Sequence, residues 1–226
     1  QLFFALYCLL MKICVVGTGY VGLSLAVLLA QKYKVVALDI SKSRVKNIND
    51  KILPFKDVEL EDFLKNKSLH LNSTVNKSEA YYESDYIVIA TPTNYDIKTG
   101  SFDTSIVEKV ISDCIAVNPD GMIVIKSTVP LGFTDSMRIK FKKQDIIFSP
   151  EFLRESSALL DNLYPSRIVI GGKSKKALKF GERGKGAIVK KKDGLGHRNP
   201  REVSITNAKR FQILFTGSPE PTPERQ

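Results

Sequence analysis

The sequence predicts an α/β fold built on a doubly wound parallel sheet. Apolar runs of strand length alternate with helical stretches along most of the chain. The first strand-to-helix junction is a glycine turn, G-T-G-Y-V-G, over residues 17–22. An acid, Asp39, stands at the tip of the second apolar run, seventeen residues past Gly22.

Residues 13–16 are apolar and read as a buried strand feeding into the turn. In such a turn Gly17 permits the sharp bend, Gly19 lets a pyrophosphate approach the backbone, and Gly22 lets helix and sheet pack closely. The helix over 20–31 starts at Tyr20 and Val21, so its free N–H groups and positive dipole end face the phosphates. The second strand, 35–39, brings Asp39 to where a carboxylate accepts hydrogen bonds from an adenosine ribose. A 2′-phosphate there would meet a like charge. This is a Rossmann-like dinucleotide site, with NAD favoured over NADP. Glycines serving packing alone are the plainer alternative, and the strand, helix and acid around them argue against it.

Further along, 41–51 reads as a helix capped by Ser41, and 58–64 as a short helix. A brief third strand is expected at 69–71. Residues 85–90 (DYIVIA) form a buried strand ending in the polar loop TPTNYDIKTGSFD, followed by a helix over 104–117. The run MIVIK at 122–126 is a strand ending at Ser127 and Thr128. A basic helix over 133–143, with Arg138, Lys140, Lys142 and Lys143 on a solvated face, leads to a strand at 145–148 and then SPEFLRES. A last strand at 167–170 ends at Gly171 and Gly172. In a parallel sheet ligands lie beyond the carboxyl ends of the strands. Residues 17–22, Asp39, Thr91 to Thr93, Ser127, Thr128 and residues 151–155 should therefore share one edge.

Composition narrows the function classes. The chain has 226 residues, 43% hydrophobic, with mean hydropathy −0.09, as in a soluble globular protein. Its formal charge is +10, and the last forty-six residues hold ten Lys/Arg against five Asp/Glu. No helix-turn-helix, zinc pattern or aromatic-interleaved basic stripe is present, so a nucleic-acid partner is not expected. An anionic small molecule suits the charge as well. Three cysteines, Cys8, Cys14 and Cys114, are odd in number and not spaced as metal ligands, so reduced thiols in a cytoplasmic protein are expected. The first ten residues, QLFFALYCLL, are too few to span a bilayer. They lack the marks of a secretory signal and read as an extraneous apolar leader before Met11. No membrane partner is expected.

Four strings, GTGYVGL, ATPTNYD, KSTVPLGFT and SPEFLRES, in this order and spacing resemble the UDP-glucose 6-dehydrogenases. More broadly they resemble the NAD-dependent nucleotide-sugar dehydrogenases, cytoplasmic enzymes of polysaccharide biosynthesis. NLYPSRIVIGG (162–172) is also similar, and the resemblance covers about 11–180. It implies oxidation of UDP-glucose to UDP-glucuronate in two hydride transfers. The sister substrates are UDP-N-acetyl sugars or GDP-mannose. A non-catalytic dinucleotide-binding remnant is the alternative from another class.

By the resemblance, Gly17, Gly19, Tyr20, Val21 and Gly22 hold the NAD pyrophosphate, and Asp39 binds the ribose with Arg44 beside it. Thr91, Pro92 and Thr93 line the cofactor path, with Ser127. Thr128 sits near the nicotinamide and the reacting carbon. Glu151 and Glu155 transfer protons and position water and cofactor, while Phe152, Leu153 and Arg154 frame the nucleotide sugar. A general base near a water suits a reaction that releases protons and hydrolyses an acyl intermediate. Lys126, Arg154 and Arg167 read as surface charges or as partners of a diphosphate.

Other family features are missing from the sequence. The resemblance calls for a nucleophilic cysteine in G-G-x-C-x-P-K-D, a lysine and asparagine on a long central helix that also forms the homodimer, and a second domain. None is found in these residues. The segment 181–226 is basic, rich in Gly and Pro, and ends in PTPERQ. It reads as a poorly ordered, non-native tail. The expectation is an N-terminal domain cut off before the central helix, able to bind NAD and incomplete for turnover.

Overall fold

A computed structural model describes residues 11–97, 100–165, 168–172, 174–187 and 203–205. The central sheet has six strands in the order β3-β2-β1-β4-β7-β8. They are β1 (Lys12–Val16), β2 (Lys34–Leu38), β3 (Leu71–Thr74), β4 (Tyr86–Ile89), β7 (Met122–Ile125) and β8 (Ile146–Phe148), and every pair is parallel. Successive side chains leave opposite faces. Ile13, Val15, Val35, Val88, Val124 and Ile147 join one apolar layer, and Cys14, Val16, Val36, Ile87, Ile89, Ile123 and Ile125 join the other. Burial on both faces is why these strands read as unbroken apolar runs.

Helix α1 (Tyr20–Ala30) is buried from Gly22 to Ala30. It lies between the sheet and α7 (Ala158–Leu163), with α3 (Val58–Asn66) and α8 (Lys175–Ala187) alongside. Its apolar side chains all round suit that place. One carboxylate braces this layer: buried Asp57 accepts from Leu60 N–H at 2.9 Å, capping α3, and from Leu159 N–H at 3.3 Å in the first turn of α7. Asn162 of α7 donates to Ser24 Oγ of α1 at 2.8 Å, also buried. On the same face as α1, α2 (Lys42–Asn49) is capped by Ser41, as expected, and buries Ile48 in that layer. The other face is covered by α4 (Lys77–Tyr81), α5 (Ser105–Val117) and α6 (Phe133–Lys140).

Several expectations need correction. The third strand falls at Leu71–Thr74 rather than 69–71, because its pairing with β2 recruits the polar residues Asn72 to Thr74. The Asn49 side chain bonds both the N–H and C=O of Ser73, closing that sheet edge. The loop after β4 contains a hairpin, β5 (Asn94–Asp96) with β6 (Ser101–Asp103), held by a Tyr95–Phe102 edge contact at 5.0 Å. Helix α7 was not expected at all. Helix α8 runs through the boundary placed at residue 180, since Ala177 and Phe180 are buried and Phe180 packs on Tyr86 at 5.3 Å. Strand β9 (Ile168–Ile170) pairs in parallel with β10 (Val203–Ile205), which lies inside the segment read as a tail. Arg138 is no solvated cation: its Nε and NH2 donate to the carbonyls of Ile146 and Gly171, tying α6 to the sheet. The leader 1–10, with Cys8, and Arg167 lie outside the described residues.

Candidate functional site: a cleft at the carboxyl edge of the sheet

The three fingerprint glycines carry different constraints. Gly17 has φ +92°, and a Cβ there would lie 2.6 Å from the Ala90 carbonyl oxygen. A Cβ on Gly22 would meet Gly17 O at 1.8 Å, so α1 and the turn touch backbone to backbone. A Cβ on Gly19 would meet nothing within 4 Å. The protein therefore does not need glycine at 19 for its own packing, and the bare backbone leaves a concave face open. The first bond inside α1 runs from Leu23 N–H to Gly19 O at 2.9 Å. The N–H groups of Tyr20, Val21 and Gly22 precede it at the positive end of the helix. No acid lies in that first turn.

Asp39, at the end of β2, is buried. Its Oδ2 accepts from Thr18 N–H at 2.9 Å and from the Thr18 hydroxyl, and its Oδ1 accepts from Ser41 N–H at 3.0 Å. Arg44 NH1 stands 3.8 Å from Oδ2. Burial alone would favour the neutral acid. The Thr18 hydroxyl, the two N–H donors and the Arg44 cation outweigh it and hold the carboxyl below its ordinary range. A negative charge is thus fixed beside the glycine turn.

A cleft of about 370 Å³ opens here, lined by Gly17, Thr18, Gly19, Asp39, Arg44, Thr91 and Pro92 among others. Apolar Ile40, Val75, Ile106 and Val110 also line it, together with Lys77, Lys109 and Asp113. Ile40 is 94% exposed, Val75 43% and Ile106 46%. Apolar side chains left open after β2 and β3 and at the start of α5 suit a flat aromatic ring. The Thr91 hydroxyl oxygen is buried without a partner among the described residues. The open backbone at Gly19, that hydroxyl and the fixed carboxylate fit a dinucleotide.

Toward the other end of the edge, Ser127 Oγ donates to the Thr91 carbonyl at 2.7 Å, joining the tips of β7 and β4. Thr128 follows, exposed. After β8, Glu151 Oε2 accepts from Lys126 Nζ at 2.8 Å, and Oε1 from Phe152 N–H at 3.2 Å. The Lys126 and Glu151 side chains are only 7% and 14% exposed, so Lys126 is not the surface charge expected of it. Arg154 is engaged too. Its NH2 and Nε donate to Asp161 at 2.8 and 3.1 Å, and its N–H to the same carboxylate at 2.8 Å. Phe152 is 37% exposed, Leu153 half-buried, and Glu155 exposed at the start of a 3₁₀ turn, Glu155–Ser157.

Because the strands are parallel and adjacent, residues 17–22, Asp39, Thr91, Ser127, Thr128 and Glu151 share one edge of the sheet. Asp39 and Glu151 follow strands four places apart, roughly 19 Å at the usual strand spacing. Thr93 does not line the cleft; it is half-buried at the foot of the hairpin. Tyr20 packs on Phe55 in a tilted contact with ring centres 4.2 Å apart, bringing the loop before α3 to the mouth of the turn. Sequence reasoning missed Thr18, Ile40, Val75, Ile106 and the depth of Lys126. An apolar residue directly after a strand-tip acid was the available sign for Ile40. Cys14 and Cys114 are free and buried, and burial pushes the first thiol well up and the second up to about 12, which makes both poor nucleophiles.

A six-stranded parallel sheet in this order, with a glycine turn at a helix N-terminus and a ribose-type carboxylate, defines a Rossmann-type dinucleotide-binding domain. Residues 11–184 match the UDP-glucose/GDP-mannose dehydrogenase family, NAD binding domain. The chain belongs to that family and carries its NAD-binding domain. It is 49% identical over 186 residues to a UDP-glucose 6-dehydrogenase of Streptococcus pneumoniae, covering 80% of this chain and 47% of that protein. A Campylobacter jejuni UDP-glucose 6-dehydrogenase is 48% identical over 166 residues, covering 73% and 42%. The chain thus spans a little under half the length of these relatives. Among solved structures, a UDP-glucose dehydrogenase from Pyrobaculum islandicum superposes with TM-score 0.74 at 26% identity, covering 91% of this chain and 48% of that one. A ternary complex of GDP-mannose dehydrogenase from Pseudomonas aeruginosa gives 0.70 at 26%, covering 79% and 44%. No helix among the described residues is long and apolar enough to cross a membrane.

Proposed function

We propose that this chain binds NAD along the carboxyl edge of its sheet to serve the oxidation of a nucleotide sugar, UDP-glucose to UDP-glucuronate. The observation that carries the reading is the shared edge: the glycine turn, Asp39, Thr91, Ser127, Thr128 and Glu151 follow adjacent parallel strands. UDP-glucose is favoured over sister substrates by the identity to two UDP-glucose 6-dehydrogenases. Bound NAD supplies a hydride acceptor. The N–H groups at the start of α1 receive the pyrophosphate. Asp39 accepts from the ribose hydroxyls and repels a 2′-phosphate, and Ile40, Val75 and Ile106 cover the adenine. Thr128 orients the reacting hydroxyl or a water. Glu151 takes up protons, with Glu155 on the same loop. Phe152 and Leu153 frame the sugar. Arg154 is spent on Asp161, so it frames the sugar through the loop backbone rather than by its guanidinium.

The test titrates the NAD-loaded chain with UDP-glucose, GDP-mannose or a UDP-N-acetyl sugar and follows binding by calorimetry, since the chain is expected to be incomplete for turnover. Binding of UDP-glucose in preference to the others supports the reading. NAD binding with no response to any sugar confines the chain to dinucleotide binding, and absence of NAD binding refutes both.

A further inference from the structure

Two residues reach the same oxygen of Asp39, and they reach it unequally. Thr18 gives Oδ2 two hydrogen bonds, one from its N–H at 2.9 Å and one from its hydroxyl. Arg44 NH1 stands 3.8 Å from that oxygen. At 3.8 Å the pair is ionic without a hydrogen bond, because an N–H donor bonds an oxygen at about 2.7–3.2 Å. An arginine and a carboxylate free to meet close to about 2.7–2.9 Å, often through two parallel bonds. Arg44 has room to do so. Its side chain is 45% exposed and springs from the first turn of α2, whose cap Ser41 donates its N–H to Asp39 Oδ1. A carboxylate oxygen offers about two lone-pair sites, and Thr18 takes both on Oδ2. Thr18 itself is completely buried, so its hydroxyl is shielded from bulk water.

We propose that Thr18 is a positioning residue that determines cofactor selectivity: its hydroxyl keeps Asp39 Oδ2 from closing on Arg44, so the carboxylate meets the ribose with its charge uncancelled. This rests on the function proposed above, in which Asp39 faces the adenosine ribose of NAD. Rejection of a 2′-phosphate is a repulsive element, and it lasts only while the carboxylate is bare of a cation. Without the hydroxyl, an acceptor position on Oδ2 opens beside the guanidinium. Asp39 and Arg44 then pair directly, the field at the ribose weakens, and NADP is admitted. Valine keeps the branched shape of threonine without the hydroxyl, and serine keeps the hydroxyl without the methyl.

The experiment is calorimetric titration of the 226-residue chain with NAD and with NADP, in wild type, Thr18→Val and Thr18→Ser. The quantity read is the ratio of the two affinities. In Thr18→Val the preference for NAD should fall about fivefold or more, chiefly through tighter NADP binding, while Thr18→Ser stays within about twofold of wild type. On an Arg44→Gln background no guanidinium is left to pair with Asp39, so there Thr18→Val should move the ratio by less than about twofold. A folded Thr18→Val that loses both affinities together, with the ratio unchanged, has lost only a structural contact, and that result overturns the proposal. So does a serine variant displaced as far as the valine variant, or a fall just as large without Arg44. Should Thr18→Val fail to fold, Thr18→Ala, smaller and equally free of the hydroxyl, takes its place with the same expected fall. A wild type that binds neither dinucleotide overturns the proposed function and this inference with it. A wild type that prefers NAD, beside an unchanged ratio in Thr18→Val, overturns this inference alone.

Discussion

At the β2 end of the sheet edge, Asp39 is held by neutral donors, two from Thr18 and one from Ser41, with Arg44 3.8 Å away. At the β8 end, Glu151 is held by a full cation at 2.8 Å. Neutral donors stabilise a carboxylate without cancelling its charge, so Asp39 still repels phosphate and still accepts from hydroxyls. A buried ammonium cancels the charge, so the Glu151 pair projects little field. The ends also differ in their apolar groups. Ile40, Val75 and Ile106 stand open at the first end, while at the second Ser127 and Lys126 are folded in among strand tips. One end keeps a carboxylate held mainly by neutral donors beside open apolar groups, and the other closes a carboxylate and a cation on each other.

Substitutions at four positions would break or sharpen that contrast. The largest effect is expected from Gly22→Ala. Its Cβ would fall 1.8 Å from Gly17 O, a backbone atom that cannot yield without moving the turn. Urea denaturation should show a loss of about 3 kcal/mol or more, with NAD binding abolished.

Asp39→Ala comes next. It strands the Thr18 hydroxyl and two N–H donors, and NAD affinity measured by calorimetry should fall on the order of 30–100-fold, about 2–3 kcal/mol. The same site gives a pH signature. A carboxyl whose folded-state value lies below its unfolded one stabilises the fold above the unfolded value, near 4, and that contribution disappears as pH falls through the folded value. Wild-type stability should therefore decline from about pH 4 downward, and Asp39→Asn should decline less over that window in urea melts.

Ile40→Ala should separate binding from folding. A side chain 94% exposed contributes little to the folded state, so stability should stay within about 0.5 kcal/mol. NAD binding should weaken by about fivefold, near 1 kcal/mol, for the apolar area no longer covered on binding. Arg154→Ala should have the smallest effect. Its guanidinium is exposed and committed to Asp161, and NAD affinity should stay within about twofold of wild type. A larger loss would mean that Arg154 leaves Asp161 to reach the ligand.

The β2 end was largely legible from sequence because its constraints are local. A positive φ at Gly17, a backbone contact at Gly22 and an acid at a strand tip each demand a residue type at a fixed spacing. Membership of one edge was also legible, since parallel strands place all their carboxyl ends together. What escaped depends on partners distant in sequence. Lys126 looks like any strand-end lysine until Glu151 is found beside it, and Arg138 like a helix-surface cation until the carbonyls of Ile146 and Gly171 appear. Helix α7 carries no hydrogen-bonding cap of its own, because Asp57, about a hundred residues earlier, accepts from Leu159 instead. Polar β3 gives no apolar signal, and its edge is completed by Asn49.

The central claim is that the edge formed by residues 17–22, Asp39 and Thr91 cradles an adenine dinucleotide lacking a 2′-phosphate. Calorimetric titration of the 226-residue chain with NAD and, in parallel, NADP tests it most directly. The account predicts saturable NAD binding at least about tenfold tighter than NADP, as expected for a phosphate brought against the fixed charge of Asp39. A folded chain that gives no heat with NAD, or that binds NADP as tightly, would contradict it.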